Sequence, residues 1–455
     1  MPALPDTVVG NAYRSRESWE TLKSLTALGS RMGGHAGEAA AARFLERRFA
    51  DVGLRDVTTD EFAIRRWERQ GSSLTAETDS VERTFATDNE TIALPGSPTA
   101  DVDAVLVDVG YGLPDDFADA DVDGKVVLVT SGAPPGHDRW VHRNEKYARA
   151  IDGGAVGFLY VSDQGQCLPE TGCISFDGEP GSIPGLGLSH EVGHRLRLFC
   201  EESDVAVGLS VDCRTTPSTS QNVSGVLGPE RGDEILVTAH YDSHDISEGA
   251  GDDGCGTAVV TEIARLLQQV ESDIGTRVRV VAFGAEEVGM LGADHWADTH
   301  DLSRVKCQLN VDGIGDSGRL KVNDNGFEAV AEAFAEVADH LAVPVKHEAV
   351  VRPHGDQWPF VRRGVPGIMA GSAGDGRFPH AHTHSDTIDK IDPRDLVSLA
   401  IALASGVYRL AERDREIPHV NPDTIRDSMH PDYEAGLRAE GRWPWEPSPA
   451  PTSEH

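Results

Sequence analysis

Residues 234–242 read EILVTAHYD, 257–270 TAVVTEIARLLQQV, 277–284 RVRVVAFG, 305–313 VKCQLNVDG and 327–341 FEAVAEAFAEVADHL. Short β-branched apolar runs alternate with longer segments whose apolar residues recur every three or four positions. Strand and helix in alternation specify an α/β fold, a mixed, mostly parallel sheet covered by helices, because neighbouring parallel strands need a crossover long enough to hold a helix. The 257–270 segment is the clearest helix: Val259, Val260, Ile263, Leu266, Leu267 and Val270 form one stripe, with Glu262, Arg265 and Gln269 off it. Its start after Gly256 sets Asp252 and Asp253 just before a helix N-terminus.

Working outward, two helical patterns lie at about 16–29 and 37–53, the second carrying Ala41, Phe44, Leu45 and Phe49 at helical spacing. Strand-like stretches follow near 57–64 and 73–77. The texture then changes to short β runs separated by Gly, Pro and Asp, such as AVLVDV at 104–109 and KVVLVTSG at 125–132, which predicts a separate small β-rich unit. Beyond residue 411 the sequence predicts a short helix near 422–440 and then WPWEPSPAPTSEH, too rich in proline and polar residues to build a core and expected to end in disorder. The expected division is 1–84 and 215–412 for the two parts of the α/β domain, 85–214 for the inserted unit and 413–455 for a C-terminal extension.

The chain holds 75 acidic and 41 basic residues, a formal charge of -34, which argues against nucleic acid as a partner. Only seven of the basic residues are lysine, a composition resembling that of proteins from salt-loving archaea. Surface carboxylates there keep a protein hydrated in salt that screens charge within ~3 Å near 1 M. No run of 18 apolar residues and no basic-then-apolar leader is present, so a cytoplasmic chain without a membrane partner is expected. The cysteines at 167, 173, 200, 213, 255 and 307 form no CxxC pair and are expected as structural thiols, with Cys167 and Cys173 the pair near enough in sequence to check.

The chemistry-bearing residues stand at strand ends. His240 and Asp242 follow EILVTA, Glu286 and Glu287 follow RVRVVAFG, and Asp312 follows VKCQLNV. In an open parallel sheet the carboxyl ends of the strands converge on one crevice. The loops carrying Asp252 and His382 can reach the same place. A lone acid or histidine at a strand end is usually a cap or a solvated group; their joint placement is what points to a site.

Five motifs in order, AHYDS at 239–243, GAGDDGCG at 249–256, AEE at 285–287, NVD at 310–312 and HTHSDT at 382–387, resemble those of the di-zinc aminopeptidases. That family also includes glutamate carboxypeptidases and the metal-free transferrin-receptor ectodomain, and the resemblance covers about residues 10–80 and 216–410. It implies the zinc exopeptidase fold and two zinc ions, with Asp252 bridging them, His240 and Asp312 completing one site and Glu287 and His382 the other. Mixed imidazole and carboxylate donors suit zinc, and a shared carboxylate suits ions ~3.5–4 Å apart; manganese and cobalt stay open on ligand type. The resemblance makes Glu286 the general base and acid, Asp242 the acid that orients His240, and Asp253 the partner of a cis peptide after the bridging ligand. It selects His382, four residues before Asp386, among the alternating His380, His382 and His384, with His384 in reserve. Two departures stand out. Ala381 replaces the tyrosine that helps stabilise the oxyanion in some relatives, and Gly355-Asp356-Gln357 stands where SDH is frequent in the substrate-side loop.

HEVGH at 190–194 matches the HExxH zinc-protease pattern. No third ligand follows at the right spacing and Gly193 weakens a helix, so the expected reading is a turn into a helix after IPGLGLS. With DVDGKVVLV at 121–129 and KYARAIDGGAVGFLYVSD at 146–163, that segment resembles the protease-associated domain that often interrupts this peptidase family. The implied activity is hydrolysis of a terminal bond in a peptide or aminoacyl substrate, most simply as an aminopeptidase, with carboxypeptidase or dipeptidase action as the alternative. A non-catalytic receptor-like module is the reading from another class.

Overall fold

A computed structural model describes residues 4–137, 139–165, 167–175, 178–374 and 378–445. The chain forms two compact units. One takes the chain up to Arg66 and then Pro217–Met429; the other takes Trp67–Thr216 and the chain from His430 onward.

The strands of the first unit run, across the sheet, Val345–Glu348, Leu320–Asn323, Gly367–Ser372, Val305–Val311, Glu234–His240, Arg277–Phe283 and the last residues of Ala206–Leu227. The four from Gly367–Ser372 to Arg277–Phe283 are mutually parallel, with Ala282 level with Ala239 and Phe283 with His240. Antiparallel pairs flank them, Leu320–Asn323 on one side and residues 223–227 on the other. This is the mixed, mostly parallel sheet expected from the alternating pattern.

The helix Cys255–Gln268 makes the crossover between the Glu234–His240 and Arg277–Phe283 strands, and Leu291–Thr299 lies in the next connection. Trp296 of the latter packs with Leu236, Val281, Phe283 and Phe360. Burying the apolar side chains of such a cluster stabilises by about 1.5–3 kcal/mol each. The crossover helix departs from the single-stripe expectation. Glu262, placed off the stripe, is 1% exposed because the helix is covered on several sides, by Glu17–Thr26 and by Pro393–Leu410. Its charge is met within the helix by Arg265, at 2.6 and 2.8 Å.

In the second unit, Ala100–Asp108, Val126–Thr130, Gly157–Val161 and Gly185–Leu188 pair in parallel, with Thr91–Ala93 antiparallel beyond the last. Phe158, Tyr160, Tyr147 and Ile174 centre its core. The helix His190–Glu202 is capped by the Ser189 hydroxyl, which accepts from the Val192 amide at 3.3 Å. HEVGH is therefore the first turn of an ordinary helix, with His190 and His194 exposed. Gly193 is there for contact: a Cβ at that position would lie 2.2 Å from Val161 Cγ1.

The two strands expected at 57–64 and 73–77 are one strand, Arg55–Glu77, which passes from the first unit into the second at Arg66–Trp67. The buried face switches between Ile64 and Trp67, three residues apart, so the alternation is broken although the backbone stays extended. The tail helix is two helices, Pro422–Ser428 and Pro431–Ala439, because Pro431 opens a new first turn. The expected disorder after it falls on residues outside the described ones. All six cysteines are free thiols, Cys167 and Cys173 included. Among the described residues no helix is long and apolar enough to cross a membrane.

Candidate metal centre

His240 is the last residue of its strand, and its imidazole is 1% exposed. The Thr257 hydroxyl, on the crossover helix, donates to the His240 carbonyl at 2.7 Å and fixes the strand end. Two residues on, the buried Asp242 turns one oxygen to His240 Nδ1 at 3.4 Å. The same carboxylate accepts the amides of Glu286 and Glu287 at 3.0 and 3.1 Å. One acid thus ties the first strand end to the second, where Ala285, at φ +57, turns the chain.

Asp252 lies in the loop before the crossover helix. Its Oδ1 is 3.3 Å from His240 Nε2 and its Oδ2 is 3.2 Å from His382 Nε2. The carboxylate of Asp386 accepts the amides of Gly251 and Asp252, at 2.6 and 3.1 Å, and so holds that loop in place. The Asp252–Asp253 peptide is cis, as the resemblance implies, and buried Asp253 accepts the Gly256 amide at 3.0 Å at the start of the helix. Asp312 follows the Val305–Val311 strand, its amide bound to the Ala370 carbonyl at 2.9 Å. His382 Nε2 is also 3.6 Å from Glu287 Oε2. Of the three alternating histidines, His380 instead meets Ser385 Oγ at 2.9 Å and His384 the Ile246 carbonyl at 2.8 Å.

At these strand ends the metal-capable side chains collect into two groups, His240 with Asp252 and Asp312, and His244 with Glu287 and His382. In each group the donor atoms lie within 4.8 Å of one another. The structure brings together all five residues expected to bind metal. It adds His244, buried, with Nε2 2.9 Å from Glu287 Oε2. Its sequence signal was its place, four residues after His240 in the same strand-end loop.

Residues 222–406 match the profile of peptidase family M28, and residues 99–196 that of the PA domain. Every residue of the candidate centre, from His240 to His382, lies inside the M28 match, and the PA match precedes it in the chain. It is 28% identical over 438 residues to Aminopeptidase YwaD of Bacillus subtilis, with 92% of this chain and 88% of that protein covered. It is 26% identical over 437 residues to Carboxypeptidase Q of Mus musculus, covering 91% and 90%. Among solved structures it is similar to BSAP, a zinc aminopeptidase from Bacillus subtilis, at 27% identity and TM-score 0.67, covering 90% of this chain and 98% of that one.

The electrostatics of this centre favour cations. Burial, then neighbouring Asp252, pushes the Glu287 carboxyl up to about 8. Burial pushes Asp312 up to about 6, against the pull of His240 and with the push of Asp252. Burial likewise holds Glu286 well above the usual carboxylate range, with Glu287 and Asp312 adding to it. Asp356, from the loop where the sequence departs from SDH, is fully buried and raised by burial and by Glu286. His240 moves the other way from its burial, because the carboxylates of Asp242 and Asp252 raise it. So many acids in low dielectric carry their charge together only beside positive charge. Two groups of imidazole and carboxylate, with Asp252 of the first 3.2 Å from His382 of the second, are the donor chemistry that zinc takes.

Arg31 also escaped the sequence reading. Its buried guanidinium donates to the carbonyls of Tyr241, Leu25, Glu248 and Gly249, at 2.6–3.2 Å, clamping the loop between His240 and Asp252. An arginine 210 positions before its carbonyl partner gives no local signal.

Proposed function

We propose that this chain is a two-zinc aminopeptidase that removes N-terminal residues from peptides. The observation that carries the reading is the Asp252 carboxylate between the imidazoles of His240 and His382, 3.3 and 3.2 Å away. In this reading His240, Asp252 and Asp312 hold one ion, and Asp252, Glu287 and His382 the other. When bound, the ions supply Lewis acidity to the scissile carbonyl and make water a better acid. Glu286, which retains some exposure, would act as a carboxylate once bound cations offset the charge of its acidic neighbours, taking the proton of the attacking water and delivering it to the leaving amine. Asp242 fixes His240 and both glutamate amides at once, so the base is positioned by the same group that orients a ligand. Asp386 positions the bridging loop.

The likeness to Carboxypeptidase Q over 91% of the chain favours a second reading with the same centre and the opposite peptide end. Assaying aminoacyl-nitroanilides beside N-blocked peptides separates them: aminopeptidase action cleaves the former, and cleavage of the blocked substrates alone would overturn the first reading. A receptor-like, non-catalytic role is disfavoured because each expected ligand position is filled. Near-zero metal content together with no peptidase activity would revive it.

The same proposal places the protein in a reducing cytoplasm of high salt. Its support is the charge of -34 and six cysteines kept as thiols. The expected outcome is a melting temperature that climbs with KCl into the molar range; equal stability at low and molar salt would remove the high-salt assignment.

A further inference from the structure

His244 belongs to neither the expected ligand set nor the expected positioning set, yet it stands inside the centre. We propose that His244 is an additional protein ligand of the ion assigned to Glu287 and His382. The inference rests on the two-metal reading above and deepens it.

Three observations carry it. First, His244 Nε2 lies 2.9 Å from Glu287 Oε2, while His382 Nε2 lies 3.6 Å from the same oxygen and 3.2 Å from Asp252 Oδ2. A tetrahedral ion with bonds of ~2.0–2.1 Å has donors separated by about 3.3 Å along each edge, and these three separations bracket that value. Second, the His244 and His382 rings stand nearly perpendicular, at 80°, with centroids 4.5 Å apart. The rings meet edge to face rather than stacking, and one nitrogen of each lies with a Glu287 oxygen in a group whose members are all within 4.8 Å of one another. Third, His244 is 2% exposed and comes from the short loop that Arg31 clamps, so its position is built into the fold.

The consequence is an asymmetric pair of sites. Asp252, Glu287, His382 and His244 give one ion four protein donors, the number that closes a zinc sphere. His240, Asp252 and Asp312 give the other three, the number that leaves a position open for chemistry. The His244 ion is then the tighter one, and the site beside His240 the one that exchanges.

The test reads metal, not turnover. In the cobalt-substituted wild-type protein, each ligating histidine contributes one strongly shifted, exchangeable imidazole N–H signal in the proton NMR spectrum. Three such signals are expected, from His240, His382 and His244; two would overturn the assignment, because a histidine that merely hydrogen-bonds to Glu287 is not shifted in this way. Alongside, dialysis of the zinc protein against a graded chelator should leave one ion in wild type after the other has gone. His244→Ala should lose both together, with at least a tenfold weaker tight site, and His244→Asp, which keeps a donor, should recover much of it; unchanged retention in His244→Ala overturns the inference. Failure of the parent reading looks different, since wild-type protein would then hold no pair of ions.

Discussion

Asp252 faces two histidines at nearly equal distance, His240 at 3.3 Å from one carboxylate oxygen and His382 at 3.2 Å from the other. A carboxamide of the same shape has only one oxygen and no charge, so it cannot serve both sides. Asp252→Asn is therefore expected to retain at most one ion and to lose about 10³-fold in kcat/KM, the equivalent of roughly 4 kcal/mol of transition-state stabilisation. Metal analysis and peptidase assays on one preparation check it, and two retained ions with normal turnover would remove the bridging role.

Glu286 poses the complementary case. Its amide is held by Asp242, while its side chain is in neither group of metal-capable donors. Glu286→Gln preserves shape and the amide contact but cannot carry a proton. It should keep both ions and lose ~10²–10⁴ in kcat, with KM little changed. A kcat equal to that of wild type would exclude Glu286 from proton transfer.

How far these roles could be read in the sequence depended on distance along the chain. The places of His240, Asp242, Glu287 and Asp312 were legible because each follows a strand-like run and parallel strand ends meet at one edge, while their roles came from the family resemblance. Asp252 and His382 needed the family resemblance, since loops carry no periodicity. Arg31 was invisible: what defines it is a set of carbonyls more than 200 positions away. The Arg55–Glu77 strand was split because side-chain alternation reports which face is buried, and that face changes between Ile64 and Trp67. Glu262 stands off the apolar stripe and is buried all the same, because little of this helix is wet.

The HEVGH segment gives a prediction in which two effects compete. Alanine in a helix interior is favoured over glycine by about 1 kcal/mol, so Gly193→Ala would stabilise a helix with free space beside it. A Cβ there falls 2.2 Å from Val161 Cγ1 and 3.0 Å from Val161 Cβ, on a buried strand residue with no room to move. Overpacking of this kind costs ~1–3 kcal/mol, so the variant should be the less stable one by denaturant melts. His190→Ala and His194→Ala, by contrast, should leave zinc content untouched; loss of an ion from either would restore HEVGH as a metal site.

Glu38 supplies the pH dependence. It is 2% exposed, accepts the Gly34 amide at 2.6 Å and the Ser220 hydroxyl at 2.5 Å, and burial, then the charge of Asp242, pushes its carboxyl from 4.5 up to about 8. Folded protein therefore holds this proton more tightly than unfolded protein does. The stability it contributes is complete below 4.5 and is lost as pH rises through about 8, with a slope of up to ~1.4 kcal/mol per pH unit between those values. Glu38→Gln is neutral throughout and lacks this loss. The unfolding free energy of wild type minus that of Glu38→Gln should thus decline between about pH 5 and about pH 8 and flatten above it. Urea melts of both proteins, zinc-loaded, across that range measure the difference directly. A difference independent of pH would mean that Glu38 is ionised in the folded protein, its charge met by the Gly34 and Ser220 donors.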